Sequence, residues 1–330
     1  MTARKTLLLS QRDIAQCMRM SDYIEAVEGA FKSFAADRMT VPDVVHIAAP
    51  GGAFHIKSAA YKEAPSYVAV KVNGNFPGNQ QQHGLPTIQG AIVLCDATNG
   101  SLLAVIDSIE VTAMRTAAAT AVAARYLAQP ATSVATIVGC GIQGAVQLEA
   151  VRTVLPIETV FAFDVDTERC TSFAKRMRSA TGLDVRAAEG LGEATRASQL
   201  IVTCTSSREA YLRLEHVSPG TLVAAVGADN HDKQELDPDL MAHSRVVVDV
   251  LEQCATFGDL HHALAVGAMK RSDVAAELGE IVAGTAEVAF SGDDIVIFDS
   301  TGSAIQDVAA AGVIYERARA TGAGTQIEFS

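Results

Sequence analysis

The chain has 330 residues, of which 49% are hydrophobic and 19% are charged, and its formal net charge at neutral pH is −12. At roughly 150 residues per domain, this length predicts two domains, each able to bury its own core. The negative charge argues against nucleic acid or an anionic membrane as a partner, because both would repel such a surface. No apolar run approaches the roughly 18 to 20 residues that span a bilayer.

The cysteines and histidines carry no metal-binding pattern. The six cysteines form no CxxC or CxxH pair, and the eight histidines include no HExxH motif. This spacing argues against a zinc cluster or a disulfide framework. The apolar stretch near the N-terminus is too short for a signal peptide. We therefore expect a cytoplasmic protein with reduced thiols and no metal.

The N-terminal third changes from helical to strand-like patterns along the chain. Residues 12–37 carry apolar side chains at helical spacing, which predicts one early amphipathic helix. From 41 to 106, short β-branched runs such as Val68–Val72 alternate with turn residues, which is typical of a mostly antiparallel sheet. The Ala-rich stretch Val111–Leu127 has no Gly or Pro and predicts a long, closely packed helix. Pro130–Ser133 then predicts a domain boundary.

Beyond that boundary, strands and helices alternate. The strand candidates are Ala135–Val138, Val160–Phe163, Leu200–Thr203, Leu222–Val226, Arg245–Val248 and Ile295–Phe298. The helix candidates are Ala145–Leu155, Arg169–Ser179 and Ala304–Ala320. Continuous apolar strands between helices predict a parallel sheet covered on both faces. The predicted fold is α/β, with a Rossmann-type doubly wound parallel sheet and a smaller α+β domain.

A glycine-rich turn follows the first of these strands. Gly139-Cys140-Gly141-Ile142-Gln143-Gly144 has the G-x-G-x-x-G spacing between a strand and a helix. The first glycine makes the tight turn, the second lets backbone amides approach a pyrophosphate, and the third allows close helix packing. The six residues therefore predict a dinucleotide site that uses Gly139, Gly141, Ile142, Gln143 and Gly144. The alternative is a structural glycine turn in a cofactor-free domain.

An acidic residue indicates which dinucleotide binds. Asp164 lies 20 residues after Gly144, at the end of the second predicted strand. Its carboxylate can accept hydrogen bonds from a ribose 2′-hydroxyl and would repel a 2′-phosphate, which favours NAD(H). Arg169, five residues further on, leaves NADP(H) possible.

Seven segments together resemble the ornithine cyclodeaminase/μ-crystallin family, in the family's order over nearly the whole chain. They are Val70–Val72, Asn75–Asn79, Gly84–Thr87, Met114–Ala118, Gly139–Gly144, Val226–Leu236 and Phe298–Gly302. The C-terminal segments are most similar to the branch that contains archaeal alanine dehydrogenase. The resemblance implies a homodimer with a substrate-binding and dimerisation domain (residues 1–125 with 308–330) and a dinucleotide-binding domain (residues 126–307). It also implies that the last helix returns to the first domain.

The resemblance also implies site residues for a small α-amino or α-imino acid. Lys71 is similar to the family's substrate lysine, Arg115 to its carboxylate-binding arginine and Asp229 to its catalytic acid/base. The positions similar to cofactor contacts are Thr87, Arg115, Thr116, Asp164, Thr205, Val226, Lys233 and Ser300.

The residues themselves agree with these roles. Lys71 lies between two valines, where an ammonium needs a partner or a ligand. Arg115 lies in the Ala-rich helix, where a guanidinium can hold a carboxylate by two hydrogen bonds. Asp229 follows a parallel strand at its carboxyl end, where ligands of open α/β sheets gather. The alternative for each is a structural ion pair, for example between Lys71 and Asp229.

The substrate stretch departs from many relatives. These carry a basic residue just after the proline near position 42, but here Asp43 follows Pro42. Lys57 is interpreted either as a substitute that binds the substrate carboxylate or as a solvated charge at a strand edge. Ornithine cyclodeaminase uses a glutamate in this stretch, which is missing here, although Asp43 or Glu63 could substitute. The departure therefore disfavours ornithine cyclodeamination.

Three functional hypotheses follow. The first is an NAD(P)-dependent imine or ketimine reductase or amino-acid dehydrogenase, in which Asp229 protonates the nitrogen as hydride arrives. The second is an ornithine or lysine cyclodeaminase, an ammonia lyase that uses bound NAD catalytically. The third is a μ-crystallin-like dinucleotide-binding protein with little turnover. The presence of Lys71, Arg115 and Asp229 argues against the third, since a pure binder need not keep an acid beside the nicotinamide.

Overall fold

The structure, a computed structural model, describes residues 5–64, 66–286 and 288–328. The chain divides into two compact units. The first contains the N-terminal part up to Arg115 together with the segment from Ala304 onward, and the second contains Thr116–Ser303. Among the described residues, no helix has the length and apolar character needed to cross a membrane.

The N-terminal elements begin with two helices and continue as a sheet. In chain order they are β1 (Lys5–Leu9), α1 (Gln11–Cys17), α2 (Met20–Ala35), β2 (Met39–Thr40), β3 (Val45–Ala49), β4 (Gly52–Tyr61), β5 (Tyr67–Asn75), α3 (Asn79–His83), β6 (Ile88–Asp96), β7 (Leu102–Asp107) and α4 (Ser108–Leu127). The prediction of one helix over residues 12–37 is wrong, because Met18 and Arg19 are extended and separate α1 from α2. Asp13 and Asp22 each accept a hydrogen bond from the backbone N–H three residues earlier, so each helix has its own N-terminal cap.

The second unit alternates strands and helices. Its elements are β8 (Val134–Val138), α5 (Ile142–Val154), β9 (Thr159–Phe163), α6 (Thr167–Thr181), β10 (Asp184–Ala187), α7 (Leu191–Arg196), β11 (Leu200–Thr203), β12 (Leu222–Ala225), α8 (Pro238–Ala242), β13 (Arg245–Val248), α9 (Leu251–Cys254), α10 (Gly258–Ala265), β14 (Ala276–Glu277), α11 (Leu278–Ala283) and β15 (Val296–Asp299). Two elements complete the described chain, α12 (Ala304–Thr321) and β16 (Thr325–Glu328).

The sheet of the second unit is parallel throughout its described pairings, in the order β10-β9-β8-β11-β12-β15-β13-β14. All four residues of β11 and of β12 are buried, which explains their continuous apolar sequence. The chain runs outward from β8 in one direction and then, through β11, in the other. The strand order therefore reverses between β8 and β11, and ligands of such sheets bind beyond the carboxyl ends of the strands at this point.

The sheet of the first unit is mixed, in the order β16-β1-β7-β6-β5-β4-β2, with β3 paired to β4. Strands β3 to β7 form the predicted antiparallel arrangement, whereas β1 runs parallel to β7. The buried helix α12 packs against α2 and against β4 and β5. The predicted fold class, a doubly wound parallel sheet with a smaller α+β part, is confirmed.

Candidate active site

The glycine turn between β8 and α5 is shaped by two close approaches. Gly139 has a φ of 105°, in the left-handed region that favours glycine, and a Cβ there would lie 2.9 Å from the carbonyl oxygen of Cys204. A Cβ on Gly144 would lie 2.2 Å from the carbonyl oxygen of Gly139, so α5 packs directly on the turn. At Gly141, a Cβ would have no neighbour within 4 Å. Close backbone neighbours therefore exclude a side chain at Gly139 and at Gly144, whereas the space beside Gly141 is open. This shape suits a pyrophosphate.

The N-terminus of α5 is open to solvent. The helix begins at Ile142, whose side chain is 77% exposed, and the following Gln143 is half-buried. Helix α5 has 13 residues, so its aligned peptide dipoles give its N-terminus partial positive charge. A phosphate placed there would meet backbone N–H groups and this positive potential.

Asp164, at the end of β9, is joined to the glycine turn. Its Oδ2 accepts a hydrogen bond from the backbone N–H of Cys140 at 2.9 Å, and its Oδ1 accepts one from Asp166 at 3.0 Å. The guanidinium of Arg169 lies 3.9 Å from Asp164 and 3.6 Å from Asp166, and its side chain is 58% exposed. The carboxylate is thus fixed beside the turn, with an exposed cation next to it.

Asp229 lies in the loop that follows β12. Its Oδ1 is 2.8 Å from Nζ of Lys233, and its side chain is 49% exposed. The side chain of Asn230 accepts hydrogen bonds from the backbone N–H groups of Asp232 and Lys233, which shapes this loop. The structure therefore brings together the expected acid/base and one expected cofactor contact.

Glu235 was not singled out from the sequence, yet it joins the ends of two central strands. Its buried carboxylate accepts five hydrogen bonds of 2.7–2.9 Å, from the hydroxyl groups of Thr203, Thr205 and Tyr211 and from the backbone N–H groups of Thr205 and Gly227. A Cβ on Gly227 would lie 2.5 Å from this carboxylate, so the close approach requires glycine. Two of the expected cofactor positions adjoin this carboxylate. Thr205 donates hydrogen bonds to it, and Val226 precedes Gly227, whose backbone N–H also donates to it.

Three further buried carboxylates extend this group. Asp259 accepts the backbone N–H groups of Glu235 and Leu236, and Asp299 accepts that of Leu260. Asp249 accepts a hydrogen bond from the hydroxyl of Ser300, another expected cofactor position, at 2.9 Å. We call Glu235, Asp249, Asp259 and Asp299 the carboxylate cluster. Burial, and then neighbouring negative charge, raise the pKa of Asp259 well above its ordinary value.

The first unit holds a cluster of opposite character. Nζ of Lys71 lies 2.8 and 2.7 Å from the two carboxylate oxygens of Asp307, and Nε of Arg115 lies 2.9 Å from one of them. Arg115 also donates to Oε1 of Gln306 at 2.8 Å. All of these side chains are buried. The structural ion pair considered for Lys71 therefore exists, but its partner is Asp307 and not Asp229.

Lys57 belongs to the same cluster. It is paired with Lys71 across the antiparallel strands β4 and β5, so both side chains lie on one face of the sheet. Burial, together with the positive charges of Arg115 and Lys57 and against the opposing effect of Asp307, lowers the pKa of Lys71 to about 7. Lys57, Lys71, Arg115 and Asp307 are called the cation cluster below.

The remaining expected cofactor residues have ordinary environments. Thr87 is exposed just before β6, and its carbonyl oxygen accepts the backbone N–H of Phe76. Thr116 is half-buried in α4, and Val226 is buried with its N–H donated to Thr203.

Asp307 is the residue of the cation cluster that sequence reasoning missed. A signal was available, because Asp307 lies in a Gly- and Ala-rich helix and is followed by the apolar run Val308–Ala311, as Arg115 lies in the Ala-rich α4. A lone charge in such a helix requires a buried partner.

Comparisons with known proteins agree with this geometry. Residues 4–322 match the profile of the ornithine cyclodeaminase/mu-crystallin family. The chain belongs to this family. It is 37% identical to an alanine dehydrogenase of Archaeoglobus fulgidus, over 98% of this chain and 99% of that protein. It is 33% identical to an iminosuccinate reductase of Paracoccus denitrificans, over 98% of this chain and 100% of that protein.

Solved structures of family members are also similar. An archaeal alanine dehydrogenase dimer with bound NAD has a TM-score of 0.94 at 36% identity and covers 99% of this chain and 100% of its own. A Δ1-pyrroline-2-carboxylate reductase of Thermococcus litoralis, in complex with NADH and L-proline, has a TM-score of 0.93 at 32% identity and covers 98% and 100%. A lysine cyclodeaminase has a TM-score of 0.88 at 29% identity and covers 99% and 96%.

Proposed function

We propose that this protein is an NAD(H)-dependent oxidoreductase that interconverts a small α-amino acid with the corresponding α-imino acid. The observation that carries the proposal is the buried cation cluster, in which Lys71 and Arg115 share the single carboxylate of Asp307. A second cation beside one anion leaves positive charge for a substrate carboxylate. Gln306 supports this, because among the described residues its buried Nε2 has no hydrogen-bond partner and a carboxylate would provide an acceptor.

Each residue then has a role in the chemistry. Arg115 binds the α-carboxylate by charge-assisted hydrogen bonds. Lys71 donates a hydrogen bond to the substrate and polarises its C=N or C=O bond. Asp229 donates a proton to the nitrogen during reduction and accepts it from the amine during oxidation. The nicotinamide, when bound, supplies or accepts the hydride.

The second unit supplies the cofactor residues in this proposal. The open space at Gly141 and the exposed start of α5 fit a pyrophosphate. Asp164, held by the N–H of Cys140, is positioned to accept the ribose hydroxyls, which favours NAD(H) over NADP(H). Lys71 and Arg115 belong to the first unit and Asp229 to the second.

We further propose that the protein is a homodimer that uses the outer face of the first unit's sheet. Within β5, Tyr67, Ala69, Lys71 and Asn73 face α12 and are buried, whereas Val68, Val70 and Val72 alternate with them and are half-buried or exposed. The strand register places further apolar side chains on this outer face, namely Val45, Ile47, Phe54, Ile56, Val93 and Val105. A continuous apolar face of this kind is typical of a protein–protein interface.

The dimer proposal is tested by one substitution on that face. Val70→Lys should convert a dimer to a monomer in sedimentation velocity, because it places a charge in the apolar centre of the interface. Val266→Lys is the matched control, since Val266 is 68% exposed on the second unit. A Val70→Lys variant that stays dimeric and folded would show that another surface forms the dimer.

All six cysteines are free thiols in the structure. This supports our proposal that the protein works in the reducing cytoplasm.

The activity is tested by NADH oxidation at 340 nm with 2-oxo acids plus ammonia and with cyclic imines. Ornithine and lysine are run in parallel with NAD+ and assayed for ammonia. Lasting NADH oxidation with one substrate class would support a reductase. Ammonia release without net change in NADH would instead identify a cyclodeaminase. This is the alternative function, because the chain is also similar to a lysine cyclodeaminase.

A further inference from the structure

The loop that carries Asp229 is bound to one short helix at several points. The loop runs from Asp229 to Leu236, and the helix is α10. Asp259, in the first turn of α10, accepts hydrogen bonds from the backbone N–H groups of Glu235 and Leu236, both at 2.8 Å. These two bonds fix the end of the loop that is opposite Asp229.

The middle of the loop contacts the same helix through a histidine. Nε2 of His262 lies 2.9 Å from the carbonyl oxygen of Lys233. A carbonyl oxygen can only accept a hydrogen bond, so Nε2 carries the proton and donates it. The backbone N–H of Lys233 donates in turn to the side chain of Asn230 at 3.2 Å. Both polar groups of the Lys233 backbone are therefore held by hydrogen bonds.

Ring contacts bind the start of the loop to the same region. The ring of His231, two residues after Asp229, packs edge-on against the rings of Phe257 and His261, with centroid distances of 4.8 and 5.6 Å. Phe257 directly precedes α10, and His261 lies within it. The helix and the residue before it thus contact the loop next to Asp229 as well as at Lys233.

Lys233 in turn orients Asp229. Nζ of Lys233 lies 2.8 Å from Oδ1 of Asp229, and the two side chains are 18% and 49% exposed. An ion pair with so exposed a carboxylate holds its own geometry only weakly, because water screens the charges. The direction of the carboxylate therefore depends on where the backbone of Lys233 is held. A general acid must lie within hydrogen-bond reach of the atom that it protonates, so a small shift of this carboxylate slows the reaction.

We propose that His262 is a positioning residue for the acid/base Asp229. This deepens the proposed function and rests on it. The Nε2–H group of His262 holds the carbonyl group of Lys233, and the ammonium group of Lys233 orients the carboxylate of Asp229. In this role His262 exchanges no proton with the substrate and needs only an N–H donor at the position of Nε2. A different side chain that supplies such a donor should therefore replace it.

Two variants of His262 test the proposal by steady-state kinetics, with NADH and the most active of the cyclic imines or of the 2-oxo acids with ammonia. His262→Leu fills a similar space without the donor, and we expect kcat to fall about 5- to 10-fold while KM for the substrate changes less than about twofold. His262→Gln supplies an amide N–H and should restore kcat to within about twofold of the wild type. An unchanged kcat in His262→Leu would overturn the proposal.

A second histidine provides the matched control. Nδ1 of His243 lies 2.8 Å from the carbonyl oxygen of Asp239, so it makes the same kind of contact with the backbone, but outside the loop of Asp229. His243→Leu should leave kcat unchanged. A loss in His243→Leu equal to that in His262→Leu would contradict a specific role of His262.

A double-mutant cycle separates positioning of Asp229 from a general structural role. In an Asp229→Asn background, His262→Leu should lower the residual rate less than about twofold, because no acid remains to be positioned. The residual rate is measured in single turnovers with the enzyme in excess over NADH. An equal fold-loss in both backgrounds would show that His262 acts independently of Asp229. That result would overturn the inference and leave the proposed function intact.

Amide hydrogen exchange tests the positioning without any turnover. If no substrate oxidises NADH, the proposed function fails, but the anchoring of the loop is still measured by mass spectrometry. We expect His262→Leu to speed exchange in residues 229–236 by about fivefold or more and to leave α5 unchanged, and His262→Gln to restore the protection. Unchanged exchange in the loop, or an equal rise in α5, would contradict the anchoring by His262.

Discussion

The two units bury charge in opposite ways. In the first unit, Lys71 and Arg115 of the cation cluster both form ion pairs with the one carboxylate of Asp307. In the second unit, the carboxylate cluster contains four buried acids, and none of them forms an ion pair with a lysine, arginine or histidine in the described part of the chain. Backbone N–H and hydroxyl groups satisfy them instead.

The two arrangements suit two different roles, the binding of a ligand and the positioning of strand ends. A carboxylate saturated by neutral donors has no remaining capacity for a ligand and fixes the strand ends that donate to it. A cluster with excess positive charge has incomplete compensation, which an anionic ligand can complete. The first cluster is therefore suited to hold a substrate and the second to hold the framework of a cofactor site.

Asp229 belongs to neither cluster, and its replacement should have the largest effect. Asp229→Asn removes the proposed proton donor, whose side chain is half-exposed. We expect kcat to fall about 10²- to 10⁴-fold, with a change in unfolding free energy below about 1 kcal/mol. Steady-state rates and urea unfolding measure the two effects. Asp232→Asn, in the same loop, should change neither, and unchanged turnover in Asp229→Asn would remove the proposed mechanism.

Asp307→Asn should break the cation cluster. It leaves Lys71 and Arg115 buried without their anion, and we expect a loss of about 3–5 kcal/mol in unfolding free energy, measured in urea. Asp37→Asn removes the carboxylate of a surface ion pair and should change stability little. A fully stable Asp307→Asn would mean that the cluster does not depend on this ion pair.

Glu235→Gln should weaken the carboxylate cluster less. The amide has one acceptor oxygen for donors that reach both carboxylate oxygens, so at least one buried donor loses its acceptor. We expect a loss of about 1–3 kcal/mol and weaker NADH binding, measured by urea unfolding and fluorescence titration. Tyr211→Phe removes one donor and should cost about 0.5–1.5 kcal/mol. Equal NADH affinity in Glu235→Gln and wild type would contradict a positioning role.

The pH dependence of carboxylate binding should show the smallest effect. Because burial lowers the pKa of Lys71 to about 7, the free protein loses this positive charge as the pH rises through 7. The Kd of a bound carboxylate should then increase, by at most about tenfold per pH unit. Calorimetric titration between pH 6 and 9 measures it. Lys71→Arg keeps its charge over this range, so its Kd should change less, and identical profiles would assign the titration to another group.

The sequence predicted the second unit well because its signals are local. The strand from Val134, the glycine turn and α5 follow one another within 21 residues, and each strand of the central sheet is a short apolar run. Edge strands were missed because they carry no such local signal. In β10 only Val185 is buried, so the run has no apolar pattern to recognise.

The cation cluster could be predicted only in part. Lys71 and Arg115 stand out as charges among apolar residues, but the partner of Lys71 is 236 positions away in α12. No local pattern carries a pairing over that distance, and Asp229 was as plausible a partner as Asp307. Glu235 was missed because a glutamate between a loop and a helix resembles a surface residue until its five donors are seen.

The contact between Gly227 and the carboxylate of Glu235 has an evolutionary consequence. Any side chain at position 227 would overlap the carboxylate, and any shorter acid at 235 would leave its donors unsatisfied. Neither residue can therefore change alone without harm, and a lineage that replaced one would have to replace the other. We expect the two positions to vary together among related chains, as a pair eight residues apart.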